Sequence, residues 1–129
     1  MKLTSMSDKL DRMFSLRSEF MRAIQDNRPG ILPEWPVNLH EKESQQALRD
    51  TALKGVEEMF EALGHLKNWK PHRNTEVREF NREEFLEEIV DAFNYFFSLL
   101  VLTGVSADDL YDAYVKKDCI IHERIRTGY

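Results

Sequence analysis

Apolar residues recur at helical spacing along most of the chain, and strand-like alternation is missing. Leu10, Met13, Phe14, Phe20, Met21 and Ile24 form the stripe of a helix expected from about Ser7 to Gln25. Arg17 falls on the same stripe, where it either snorkels to the edge of the core or faces a site that wants positive charge. A second helix, from about Glu43 to Leu63, gathers Leu48, Ala52, Val56, Met59, Phe60 and Leu63 on one side. Asn81-Arg-Glu-Glu84 resembles a capping box that starts a third helix, and Thr103-Gly104 ends it. From Asp91 to Leu102 that helix is apolar nearly all round, so this half is expected to be buried. Ser106-Ala-Asp-Asp109 is another capping box and opens a fourth helix running to about Arg124. The short connection through Gly104 predicts an antiparallel hairpin of these two helices, Asp91 level with Cys119 and Glu88 with His122.

The breaks are few. The chain has 5 glycines and 4 prolines, and three of the prolines fall in Arg28-Pro-Gly-Ile-Leu-Pro-Glu-Trp-Pro36, read as a linker over 28–36. Residues 64–81 form the loop between the second and third helices. A chain of 129 residues organised this way is expected to be one all-α domain over 1–129, a bundle of four to five helices.

Charge and cysteine usage narrow the class. A net charge of −5 argues against a general nucleic-acid or membrane-surface binder. The single cysteine, Cys119, has no intrachain partner for a disulfide. No charged-then-apolar leader opens the sequence, and the longest apolar run, Tyr95 to Leu102, is broken by Ser98 and too short to span a bilayer. The expectation is a soluble cytoplasmic protein.

Two acidic pairs carry the candidate chemistry: Glu58-Met-Phe-Glu61 and Glu88-Ile-Val-Asp91. Residues three apart share a helix face, so each pair sets two carboxylates side by side. Glu58 and Glu61 lie well off their helix's apolar stripe, which by itself suits a solvated surface. Asp91 heads the stretch expected to be buried, and an ionised carboxylate there requires a cation or a basic side chain. Four oxygen donors on two facing helices suit a hard divalent cation, Mg²⁺ first. Symmetric folding of the 64–81 loop sets Glu58 level with Glu87 and Glu61 with Glu84. Lys117 and Arg124 share a stripe with Leu110, Tyr114 and Ile121, so both are expected to point inward. They serve either ordinary ion pairs or the phosphate edge of a metal–polyphosphate site, in which Glu57 or Glu61 orients water as general base. A di-iron bundle needs Glu-x-x-His, and the residues three before His40, His65, His72 and His122 are Val37, Ala62, Trp69 and Cys119. The histidines read as plain surface residues.

Glu-x-x-Glu followed by Glu-x-x-Asp on the helices of a small all-α chain resembles the all-α NTP pyrophosphatases, which include MazG-like enzymes, dimeric dUTPases and phage dCTPase-dUTPases. Trp69-Lys70-Pro71-His72-Arg73 looks like the Trp-Lys-x-Trp-Lys segment of the dimeric dUTPase and phage branch. Leu110 to Tyr129 looks like that branch's Tyr-x-x-Lys-Asn-x-x-Asn-x-x-Arg-Gln-x-x-Gly-Tyr. The resemblance implies Mg²⁺-dependent hydrolysis of dUTP or dCTP to the monophosphate and pyrophosphate, with Mn²⁺ a possible substitute. It implies metal ligation by Glu58, Glu61, Glu88 and Asp91, catalysis by Glu58, Glu61 and Glu57, and phosphate contacts from Lys117, Arg124, Lys70 and Arg126. The nucleoside would meet Arg17, Asn94, Asp118, Tyr114 and Trp69. A homodimer or higher homo-oligomer is implied as well, in a host's cytoplasm if phage-encoded. Arg17, Asn94, Asp118 and Ile121 depart from the family's pattern, which leaves the base open. The alternatives are a MazG-like house-cleaning activity on other or modified dNTPs, and a helical interaction module without catalysis.

Overall fold

The computed structural model describes residues 8–128, so the expected helix start at Ser7 and the terminal Tyr129 lie outside the described residues. Among the described residues the chain is all-α, with four helices and no strand: α1 (Lys9–Asn27), α2 (Lys42–Leu63), α3 (Arg82–Leu102) and α4 (Ala107–Thr127). None of them is by itself long and apolar enough to cross a membrane. The chain divides into two compact units. One holds α1, the segment to Pro36 and the chain from Leu100 onward; the other is Val37–Leu99.

In the first unit, Asp8 caps α1 by accepting the Asp11 N–H at 3.1 Å. Phe14 and Met21 form the buried line of α1, which packs on α4. The 28–36 segment folds back on α1. The Arg22 guanidinium lies 4.1 Å from the centre of the Trp35 ring, and Gln25 Nε2 donates to Glu34 Oε1 at 3.1 Å. At the end of α3, Gly104 takes a φ of 77° while its N–H donates to Val101 O at 3.1 Å and the Val105 N–H to Leu100 O at 2.9 Å. This left-handed closure satisfies the last carbonyls of the helix. The expected box at Ser106 is complete: its N–H donates to Asp109 Oδ2 at 3.1 Å, and the Asp109 N–H donates to Ser106 Oγ at 3.0 Å. Beyond Leu110, every residue of α4 is exposed.

In the second unit α2 and α3 run antiparallel, and their contact differs from the expected one. The inward face of α2 is a line of small and polar residues. Ser44, Gly55 and Ala62 are buried, with Leu48, Thr51 and Glu58 half-buried between them. Of the expected core stripe, Leu48, Ala52 and Met59 are half-buried, whereas Val56, Phe60 and Leu63 are exposed and lie roughly 130° around the helix from that line. The reason is distance: a Cβ added at Gly55 would stand 2.7 Å from Phe96 Cε1, so α3 is seated where α2 has no side chain. On α3 the covered face runs through Phe85, Glu88, Ile89, Ala92, Tyr95, Phe96 and Leu99. Asp91 and Phe93 are exposed on either side of buried Ala92, so the helix is covered on one face there and not all round as the apolar run suggested. Gly55 meets Phe96 and His65 meets Glu88, which shifts the pairing about two turns from the symmetric loop closure expected.

Each helix therefore keeps a second apolar face uncovered. Met13, Leu16 and Phe20 on α1, Val56, Phe60 and Leu63 on α2, Leu86, Val90 and Phe93 on α3, and Tyr111, Val115 and Ile125 on α4 are all exposed.

The tight α2–α3 contact is testable at Gly55. Gly55→Ala should gain about 1 kcal/mol in helix propensity yet lose more through overpacking, for a net loss of about 1–2 kcal/mol. Urea unfolding of Gly55→Ala, Phe96→Leu and the double variant should show coupling, the double losing less than the two added. A stabilising Gly55→Ala would mean that α3 does not sit there.

Candidate functional site

Glu58 lies on the inward line of α2 between Gly55 and Ala62, and Glu61 stands one turn further on at the exposed edge. Glu88 lies on the inward face of α3, with Asp91 one turn along and exposed. The four converge on Glu58. Its pKa is raised above the ordinary glutamate value, first by desolvation against the neighbouring helix. A hydrogen bond to the Glu61 carboxyl comes next, then the negative charges of Glu61, Asp91 and Glu88. Both acidic pairs thus belong to one electrostatic cluster, although α2 was read as turning Glu58 away from its packed face.

His65 follows the cap of α2, where the Gly64 N–H reaches Phe60 O and Glu61 O, both at 3.1 Å. Its Nε2 lies 3.0 Å from Glu88 Oε2, with the two side chains 20% and 29% exposed. The histidine is not the plain surface residue that the sequence suggested. Glu88 Oε2 is buried and accepts no hydrogen bond, so the ring N–H beside it is close but not aligned. Phe80 and Phe85 meet the same ring edge-on, with centroids 6.4 and 6.2 Å away.

The carboxylates fit a divalent cation in kind. They are hard oxygen donors, they crowd one another, and one buried oxygen lacks a hydrogen-bond partner. No three of them draw within 4.8 Å of one another as a closed ion site does, so the cluster is open. The closer acidic group lies in the first unit, where oxygens of Asp8, Asp11 and Asp108 stand within 4.8 Å of one another. The Asp11 backbone N–H lowers the Asp8 pKa, while the hydrogen bond to Asp8 raises that of Asp11. Asp8 is the cap of α1 and Asp108 is in the first turn of α4, so helix capping accounts for both positions.

Glu57 is exposed on the outer side of α2. Lys117 and Arg124 are exposed in the first unit, which corrects their expected inward orientation; α4 has nothing packed over that length. Arg126 makes a two-oxygen ion pair with Glu123 one turn before it. Tyr114 and Trp69 are largely exposed, with Lys70 Nζ 5.6 Å from the centre of the Trp69 ring. Asp118 lies 3.4 Å from His122 Nε2. Arg17 is half-buried and stacks over Phe20 at 4.6 Å, and Asn94 is half-buried on α3. The position of His65, directly after the cap of the Glu-x-x-Glu helix, was the available signal for its place at the cluster.

No protein-family model, curated protein or solved structure matches the chain.

The crowding at Glu58 has a measurable sign. A raised carboxyl pKa contributes stability that is present at low pH and is lost as pH rises through the raised value. Without divalent cations, Glu58→Gln should therefore melt at a higher temperature than the parent chain at neutral pH. The difference should close as pH falls through the raised pKa and vanish below the ordinary value of 4.5. Thermal melts in chelator across that range check it, and a lower melting temperature for Glu58→Gln at pH 7 would contradict it.

Proposed function

We propose that this chain is a Mg²⁺-dependent hydrolase that converts a pyrimidine deoxynucleoside triphosphate, dUTP or dCTP, to the monophosphate and pyrophosphate. On this reading it is an all-α NTP pyrophosphatase of the MazG-like and dimeric dUTPase kind. The observation that supports the reading is the gathering of Glu61, Glu88 and Asp91 around a Glu58 whose pKa is raised first by desolvation, then by its hydrogen bond to Glu61 and by their negative charge. Such a cluster is unfavourable alone and is relieved by a divalent cation.

Glu58, Glu61, Glu88 and Asp91 would hold Mg²⁺, with Mn²⁺ as a substitute. When bound, the ion neutralises polyphosphate charge and makes water more acidic. A water oxygen attacks the α-phosphorus, the bond from that phosphorus to the bridging oxygen breaks, and pyrophosphate leaves with the electron pair. The water's proton passes to a carboxylate. Glu61, at the exposed edge of the cluster, is the first candidate to take it, and Glu57 the second. By the resemblance, contacts to the phosphates would fall to Lys117, Arg124, Lys70 and Arg126, and contacts to the nucleoside to Arg17, Asn94, Asp118, Tyr114 and Trp69. These assignments rest on the resemblance. The base follows from those polar contacts, and a changed set would redirect the enzyme to other or modified dNTPs.

The working form on this reading is a homodimer or a higher homo-oligomer. An uncovered apolar face on every helix supports it. The same faces favour the second reading, a helical interaction module without catalysis.

Pyrophosphate release across dUTP, dCTP, dTTP, dATP and dGTP with Mg²⁺ should show turnover of a pyrimidine substrate. Glu61→Gln and Asp91→Asn should abolish it with helical content unchanged by circular dichroism. Near-normal rates in either variant would remove the metal assignment, and no turnover with any nucleotide would favour the interaction module. Sedimentation should give a mass of at least twice 15.3 kDa. A monomer at micromolar concentration would contradict the assembly.

A further inference from the structure

We propose that His65 is a positioning residue that holds Glu88 in the orientation a divalent cation requires. The inference rests on reading the acidic cluster as a cation site and names a part of that site which neither acidic pair contains. Three observations carry it. Nε2 stands 3.0 Å from Glu88 Oε2, a buried oxygen with no hydrogen bond of its own. The ring cannot swing freely, because Phe80 and Phe85 meet it edge-on and stand 5.2 Å from each other behind it. Its backbone is tied to the end of the helix that carries Glu58 and Glu61, the His65 N–H donating to Ala62 O at 3.1 Å.

The geometry couples the two acidic helices at the site. A terminal carboxylate torsion is soft and broad, so a small turn of Glu88 aligns Oε2 with the ring N–H. That turn satisfies the orphaned oxygen and leaves Oε1 for the cation. A ligating carboxylate fixed by a donor behind it loses less freedom when the ion binds, and removing such a partner typically weakens affinity about 10- to 100-fold. His65 touches neither substrate nor ion on this account, and acts only through Glu88.

The test is Mn²⁺ binding to the full chain by calorimetry or by loss of the free-ion resonance signal. His65→Leu removes the donor and keeps an apolar group against the phenyl rings; His65→Gln keeps a donor. His65→Leu should bind Mn²⁺ about 10- to 100-fold more weakly than the parent, and His65→Gln should recover most of that loss. The Mg²⁺ concentration for half-maximal turnover should shift in parallel, with turnover at saturating Mg²⁺ returning toward the parent's. If His65→Leu does not fold, Phe80→Leu, which loosens one wall of the ring, should weaken Mn²⁺ binding in the same direction. Parent-like Mn²⁺ affinity in a folded His65→Leu chain, or in Phe80→Leu where His65→Leu fails to fold, would overturn the role of His65 alone. No Mn²⁺ binding by the parent chain would overturn the cation-site reading, and this inference with it.

Discussion

Carboxylates on two helices form one cluster only if the helices come close, and in the second unit the closeness is set by what α2 lacks. Gly55 presents no side chain to α3, and the Phe96 ring occupies the space that a Cβ would need. Ala62 and Ser44 are buried on the same line of α2, and Ala92 is buried on α3. Glu58 sits between Gly55 and Ala62 and is carried inward with them. Steric fit thus imposes an electrostatic cost, which falls on the residue nearest the contact and raises its pKa.

Packing on small residues has a second result. Because α3 is seated on Gly55, Val56, Phe60 and Leu63 remain on the other side of α2. The same division recurs on α3, where Leu86, Val90 and Phe93 line up away from the covered face, with Glu83, Glu87 and Asp91 beside them. Hydrophobic burial is the main favourable term in folding, so helices that leave their larger side chains in water have not used their strongest stabilisation. A site held between two such helices depends on whatever covers the outer faces as well as on its own contacts.

The helices were legible from the sequence because their ends are chemically marked. Ser106 with Asp109, Gly104 with its left-handed turn, and Asn81, whose Oδ1 accepts the Glu84 N–H at 3.0 Å, fix boundaries by local hydrogen bonds. The acidic spacing was legible too, since three residues is a helical distance in any context. The direction of the faces was not. Periodicity weighs residues by size and apolarity, so it followed Val56, Phe60 and Leu63 and passed over Gly55 and Ala62. It also read Asp91 and Phe93 as buried because their run is apolar, whereas coverage depends on what packs opposite. Lys117 and Arg124 were read as inward for the same reason. The His65–Glu88 contact depends on how an 18-residue loop without periodicity closes over 64–81, which no local signal encodes.

The glycine contact also bears on how such a chain can diverge. Acidic spacing of this kind recurs by chance in helices rich in glutamate. Gly55 and Phe96 are tied to each other by touch, one three residues ahead of Glu58 and the other five beyond Asp91. A void on one helix matched to a ring on the other, bracketing the four acids, is a pattern of shape instead of charge. A change at either partner would have to be met at the other for the two helices to keep the distance that gathers the acids.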